Sequence, residues 1–164
     1  MIPFKLDPTQ DIAAALAPHQ SPEIAELKEF QKLISALLVK KGLNPAQVYK
    51  PESRLWVIPA QPSPAVLRLL QDGDEIFIES AMRLAPLPAQ NLLPFYRYLL
   101  ESNLKLNHAA FCVSSDGVFL RAQRRLQGLD EAELDDMISS LVEAAEDYFQ
   151  PLLEQFTFGA SILR

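Results

Sequence analysis

A single cysteine, Cys112, is the only thiol in this chain. That excludes an intrachain disulfide and fits a reducing compartment. Glycine is scarce, with five residues, and none belongs to a Walker pattern or a GxGxxG loop that could cradle a phosphate. The two histidines, His19 and His108, and the one cysteine do not make up a metal-ligand set, so neither a zinc site nor any other cofactor is expected. No apolar run approaches the roughly 20 residues of a membrane-spanning helix. The first residues, MIPFKLDPTQDIAAALAPHQ, contain one early base, Lys5, followed by Asp7, and lack the apolar run of a secretory signal. Positive charge is also short: 15 Lys and Arg face 21 Asp and Glu, a net charge of −6. That balance argues against nucleic acid or an anionic membrane as partner. A cytoplasmic protein is expected.

What is present is an ordinary globular composition. Hydrophobic residues make up 49% and charged residues 22% of the chain, enough apolar material for a core. The 164 residues suit one domain. Thirteen prolines punctuate it. Residues 1–20 read as an N-terminal arm, in which 11–17 could form a turn or two of helix before Pro18. Residues 21–164 read as the single domain.

Ser21-Pro22-Glu23 is a helix start, with a capping hydroxyl, a proline at the first helical position and an acid in the first turn. Ile24, Leu27, Phe30, Ile34, Leu37 and Leu38 follow at helical spacing. Lys40, Lys41 and Gly42 close a helix over 22–41. Asn44-Pro45 breaks the chain. Strands are expected over 53–59, 65–71 and 75–85, the last two joined as a hairpin by Asp72-Gly73-Asp74. In the third strand Ile76, Ile78, Ser80, Met82 and Leu84 alternate inward against Glu75, Phe77, Glu79, Ala81 and Arg83 outward. A helix from Asn91 to about Ser102 precedes a second hairpin, 109–114 with 117–126, turning at Asp116-Gly117. Here Phe111, Val113, Val118, Leu120 and Ala122 point inward, and Phe119, Arg121, Gln123 and Arg125 outward. Asp130 and Glu133 open the last helix as a capping box. Its apolar stripe runs from Leu134 to Leu152, its outer face is acidic, and Pro151 is expected to kink or end it. No Lys or Arg lies between Arg125 and Arg164. An acidic face of this kind is ordinarily solvated, and more rarely docks a basic partner.

The predicted order is α-β-β-β-α-β-β-α, an α+β fold with helices packed on a twisted, largely antiparallel five-stranded sheet. This succession resembles the type III secretion chaperone-like fold over residues 22–150. The segment LLPFYRYLLESNLKLNHAAFCVSSDGVFLRAQRRLQGLDEAELDDMISSLVEAAEDYF is similar to the YbjN-like branch of that fold and to a related cyanobacterial family of unknown function. The shared pattern is an aromatic–aliphatic helix, an inward-alternating strand, an Asp-Gly turn, a strand ending in Arg, then Gly-Leu-Asp and an acidic helix. The resemblance implies a non-catalytic dimer that binds extended segments of client proteins.

The residues themselves offer no catalytic set. Cys112 has no local base, His108 reads as lining a strand start, and the paired acids Asp72/Asp74 and Asp135/Asp136 serve a turn and a helix surface. Glu75 and Glu79 share one strand face and are expected to be solvated. Arg121, Arg124 and Arg125 form the one basic cluster. They either protect a strand end and balance the acidic helix or form a small anion site. The central helix carries excess apolar surface. Only Pro94, Arg97 and Glu101 share a polar arc, leaving roughly 220° apolar where a stripe somewhat over 100° suffices. The excess is buried either under another helix of the same chain or in a subunit interface formed by Leu92, Phe95, Tyr96, Tyr98 and Leu99. Trp56, Phe77, Phe119 and Arg121 are candidate contacts for a protein client. The expected function is a non-enzymatic, dimeric chaperone or adaptor. The alternative is a regulatory protein that binds a small anionic ligand at the three arginines.

Overall fold

The computed structural model describes residues 24–158, Asp116 excepted. Helix α1, Ile24–Lys40, buries Phe30, Ile34, Leu37 and Leu38, each at 0–1% exposure. It stops where Gly42 takes a left-handed φ of 75°. The amides of Gly42 and Leu43 then donate back to the Val39 and Leu38 carbonyls at 2.9 and 2.8 Å, which is the Schellman closure. The proposed start at Ser21-Pro22-Glu23 and the arm over 1–20 lie outside the described residues.

Two short elements replace the expected break. Asn44 caps a one-turn helix α2, Pro45–Val48, accepting from the Ala46 amide. Its proline sits at the first position, where the missing N–H costs nothing. A two-residue strand β1, Tyr49–Lys50, follows and pairs Tyr49 with Trp56. The sheet therefore has six strands where the hydrophobic pattern predicts five; two residues are too few to show alternation.

The remaining strands are β2 Leu55–Ile58, β3 Ala65–Asp72, β4 Glu75–Ala85, β5 Ala110–Ser114 and β6 Gly117–Arg125. They lie in the order β1-β2-β3-β4-β6-β5, every pair antiparallel. Helix α3, Leu92–Asn103, connects β4 to β5. Helix α4, Glu131–Gln155, follows β6. The Asp130 side chain accepts from the Glu133 amide at 2.8 Å and caps α4. Pro151 does not end that helix: Leu152, the next residue, is fully buried, and Phe156 stacks edge-on against Phe95 at 4.9 Å. This packing holds the last turn in place.

The register separates the two faces of the sheet. Trp56, Leu67, Ser80 and Ala122 lie opposite one another in successive pairs and share the first face. All the buried apolar side chains that α1, α3 and α4 contribute join this face in one core. Lys40–Glu131 and Lys41–Asp135 ion pairs tie the end of α1 to the start of α4. The hydrogen bond from Lys41 holds the Asp135 carboxyl below its ordinary range.

Candidate protein-binding surfaces

Helix α3 presents two opposed faces. Phe95, Leu99 and Ser102 point into the core at 0–4% exposure. Half a turn away, Leu93, Leu100 and Leu104 stand 67–86% exposed. With Leu92, also exposed, and half-buried Tyr96, they form an apolar stripe flanked by the Arg97–Glu101 pair. The excess apolar surface read from the sequence is real, but its membership changes. Phe95 and Leu99 are core residues, and the ring of Tyr98 packs on Phe156 at 5.5 Å. Burial raises the Tyr98 hydroxyl above its ordinary pKa. Leu92 and Tyr96 remain on the exposed side, joined by Leu93, Leu100 and Leu104. A full angular count of apolar residues was visible in the sequence, but not which half the core would take.

The second face of the sheet is formed by Leu55, Val66, Arg68, Leu70, Phe77, Glu79, Ala81, Arg83, Cys112, Phe119 and Arg121, by the pairing register. Glu79 is completely buried and lies between two cations. Arg68 Nε donates to its Oε1 at 2.8 Å, and Arg121 Nε meets Oε2. Burial lowers the Arg68 pKa, opposed by the attraction of Glu79. The expectation of a solvated carboxylate at Glu79 is therefore wrong, while Glu75 is exposed and pairs with Arg125 at 2.9 Å. A small apolar cluster of Leu55, Val66, Ala81 and Phe119 lies beside this ion triad.

The other expected contacts divide. Trp56 belongs to the first face, 1% exposed, edge-on to Phe30 at 4.9 Å, so it is not open to a client. Phe119 is 2% exposed and Phe77 half-buried. The three arginines do not converge on an anion site. Arg121 is engaged by Glu79, Arg124 faces Glu133 at 3.7 Å, and Arg125 pairs with Glu75. Arg124, opposite Ile78 in the register, lies on the other face from Arg121 and Arg125.

Two grooves open on the helix side. One, of about 670 Å³, lies between Phe30 and Leu33 of α1 and the Asp74–Ile76 and Arg125–Leu129 end of the sheet. The other, of about 860 Å³, lies between the proline-rich 59–64 loop and Ile138, Val142 and Glu146 of α4. At the β5 edge the Asn103 side chain bonds both the Phe111 amide, at 2.7 Å, and its carbonyl, at 3.3 Å. It occupies the positions that an added strand would use. Among the described residues no group of His, Cys, Asp and Glu is arranged to hold a metal ion, and no helix is long and apolar enough to cross a membrane.

Comparison with solved structures finds this fold repeatedly. The Yersinia pestis type III secretion chaperone SycH, solved in complex with a stable fragment of YscM2, aligns with 72% of this chain and 98% of its own, at 18% identity and a TM-score of 0.52. The ExsC–ExsE complex aligns over 77% and 95%, at 16% identity and a TM-score of 0.59. The heterodimeric ExoU–SpcU complex of the Pseudomonas aeruginosa type III secretion system aligns over 74% and 98%, at 20% identity and a TM-score of 0.54. At such identities these likenesses establish the fold, the type III secretion chaperone fold expected from the sequence. No curated protein sequence matches the chain. None of these findings bears on the YbjN-like branch. Residues 51–148 match the model of the Tir chaperone protein (CesT) family, and by that match, which spans more than half of its residues, the chain belongs to this family.

Proposed function

We propose that this chain is a non-enzymatic chaperone or adaptor that binds a segment of another protein, and that two copies pair through α3. The observation that carries the pairing is the stripe of Leu93, Leu100 and Leu104, 67–86% exposed on a helix whose opposite side is fully committed to the core. Such a stripe is self-complementary when two helices cross on a two-fold axis, and it gains by leaving water. Membership of the Tir chaperone protein family supports protein binding. So do related folds solved with protein partners, among them the HopA1–SchA chaperone–effector complex, at 11% identity and a TM-score of 0.56. The grooves beside α1 and α4 offer mixed apolar and charged walls, suited to a peptide segment and not to a small anion.

Two measurements test the two parts. Light scattering coupled to size exclusion should give twice the monomer mass, and Leu100→Glu should reduce it to one. A monomeric wild-type chain ends the pairing. Tyr98→Glu is a poor probe of it, because that ring packs on Phe156. Client binding is tested by copurification from native lysate with mass spectrometry. Failure to recover any reproducible partner would sink the chaperone reading.

A further inference from the structure

The groove between the 59–64 loop and α4 offers hydrogen-bond acceptors and negative charge over an apolar floor. The pairing of Ile58 with Ala65 closes the base of the loop. Buried Ile58 and Ile138, with half-buried Val142, supply the apolar surface. Within the loop Pro59, Pro62 and Pro64 have no backbone N–H. Their carbonyls still accept, so the loop backbone carries more acceptors than donors. Across the groove Ile138, Ser139, Val142, Glu143 and Glu146 recur at helical spacing and share one stripe of α4.

The side-chain donors of this groove are already engaged. Lys41 Nζ is held by Asp135, and Ser139 Oγ donates to Asp135 Oδ1 at 3.2 Å. Glu143 and Glu146 are exposed, and among the described residues neither has a basic partner. The groove beside α1 differs, because Glu75 in its wall is paired with Arg125. From this excess of acceptors and of uncompensated charge we propose that the groove between the 59–64 loop and α4 receives a client segment carrying apolar side chains together with lysine or arginine. This rests on the protein-binding reading above and adds where the segment docks and what it carries.

Such a segment complements the groove on each count. Its apolar side chains leave water against Ile58, Val142 and the proline rings. Its peptide N–H groups meet loop carbonyls. Its ammonium or guanidinium groups, which only donate, meet Glu143 and Glu146. An acidic segment would meet two like charges with no free base to offset them, so the same groove rejects it. A second copy of this chain is a poor occupant. Its exposed α3 stripe has one base, Arg97, already held by Glu101 at 2.7 Å.

A display library of short random peptides, selected on the full wild-type chain, tests the site. Bound peptides should be enriched in Lys and Arg together with Leu, Ile, Val or Phe, and depleted in Asp and Glu. A synthetic copy of one selected peptide, followed by fluorescence anisotropy, should bind about tenfold more weakly to Glu143→Gln with Glu146→Gln. Both positions are exposed, so the fold is not at stake. Added salt should weaken binding to the wild type and have much less effect on that variant. Glu29→Gln with Asp74→Asn, in the other groove, should leave the affinity unchanged, and so should Leu100→Glu on α3. Selected peptides without basic enrichment, or an affinity indifferent to Glu143 and Glu146, overturn this site while client binding stands. Binding lost in Leu100→Glu overturns it as well, since the site would then need two copies. Failure to select any peptide overturns it too, and joined to failed copurification it removes the protein-binding reading.

Discussion

Glu79 is the residue on which the second face turns. It is fully buried, with Arg68 at 2.8 Å on one oxygen and Arg121 on the other. Removing one member of a buried ionic group costs more than the group is worth, because the remaining charges lose their partner in a dry site. Glu79→Gln should therefore destabilise the fold by about 3 kcal/mol, read from the shift of a urea midpoint. Replacing all three residues with apolar ones of similar size should recover most of that loss. A triple replacement as damaging as Glu79→Gln alone would show that the triad acts as something other than a charge balance. Half of the triad was legible: the Asp72-Gly73-Asp74 turn pairs Asp72 with Glu75 and so places Arg68 opposite Glu79. Arg121 was not, since it comes from a strand more than 40 residues later in the chain.

At the scale of elements, the strand pair β5–β6 depends on one backbone position. Gly117 has a φ of 143°, and a Cβ there would fall on the Ala85 carbonyl oxygen and crowd Pro86. That conformation belongs to glycine, and the approach of β4 leaves no room for a methyl group. Gly117→Ala should cost about 2 kcal/mol or more, whereas the same change at Gly42, with open space around it, should cost less. Equal thermal-melting losses for the two variants would refute the steric account. The sequence marked Asp116-Gly117 as a turn, but the contact with β4 arises only when β6 docks beside it. The helices follow the same division. Their spacing and caps were readable from local residues. The exposed side of α3 depended on where Phe156 and the sheet meet it, and neither is local.

Across the whole molecule, one apolar core runs through all three long helices and five of the six strands. Trp56, on β2, is built into it against Phe30 and Tyr49, while α4 carries the longest helical segment at the other end of the chain. A core this continuous should unfold as a unit. Tryptophan fluorescence and far-ultraviolet circular dichroism should give the same urea midpoint. Separated midpoints would mean that the β1–β3 part of the sheet and α4 melt independently.

The sequence by itself determined the class of fold, the order of its long elements and the inward sets of β4 and β6, though Val113, expected inward on β5, is 43% exposed. These depend on periodicity, turns and caps, which act over a few residues. It also pointed to the secretion-chaperone resemblance, and at that level the match over residues 51–148 bears it out. Tertiary structure decided the rest. It made Phe95 and Leu99 core and left Leu93, Leu100 and Leu104 in water; it buried Trp56 and Glu79; and it dispersed three neighbouring arginines to separate carboxylates. Each of those outcomes depends on which distant strand or helix comes to lie alongside, and alternation along one strand cannot say whether its second face is wet or covered.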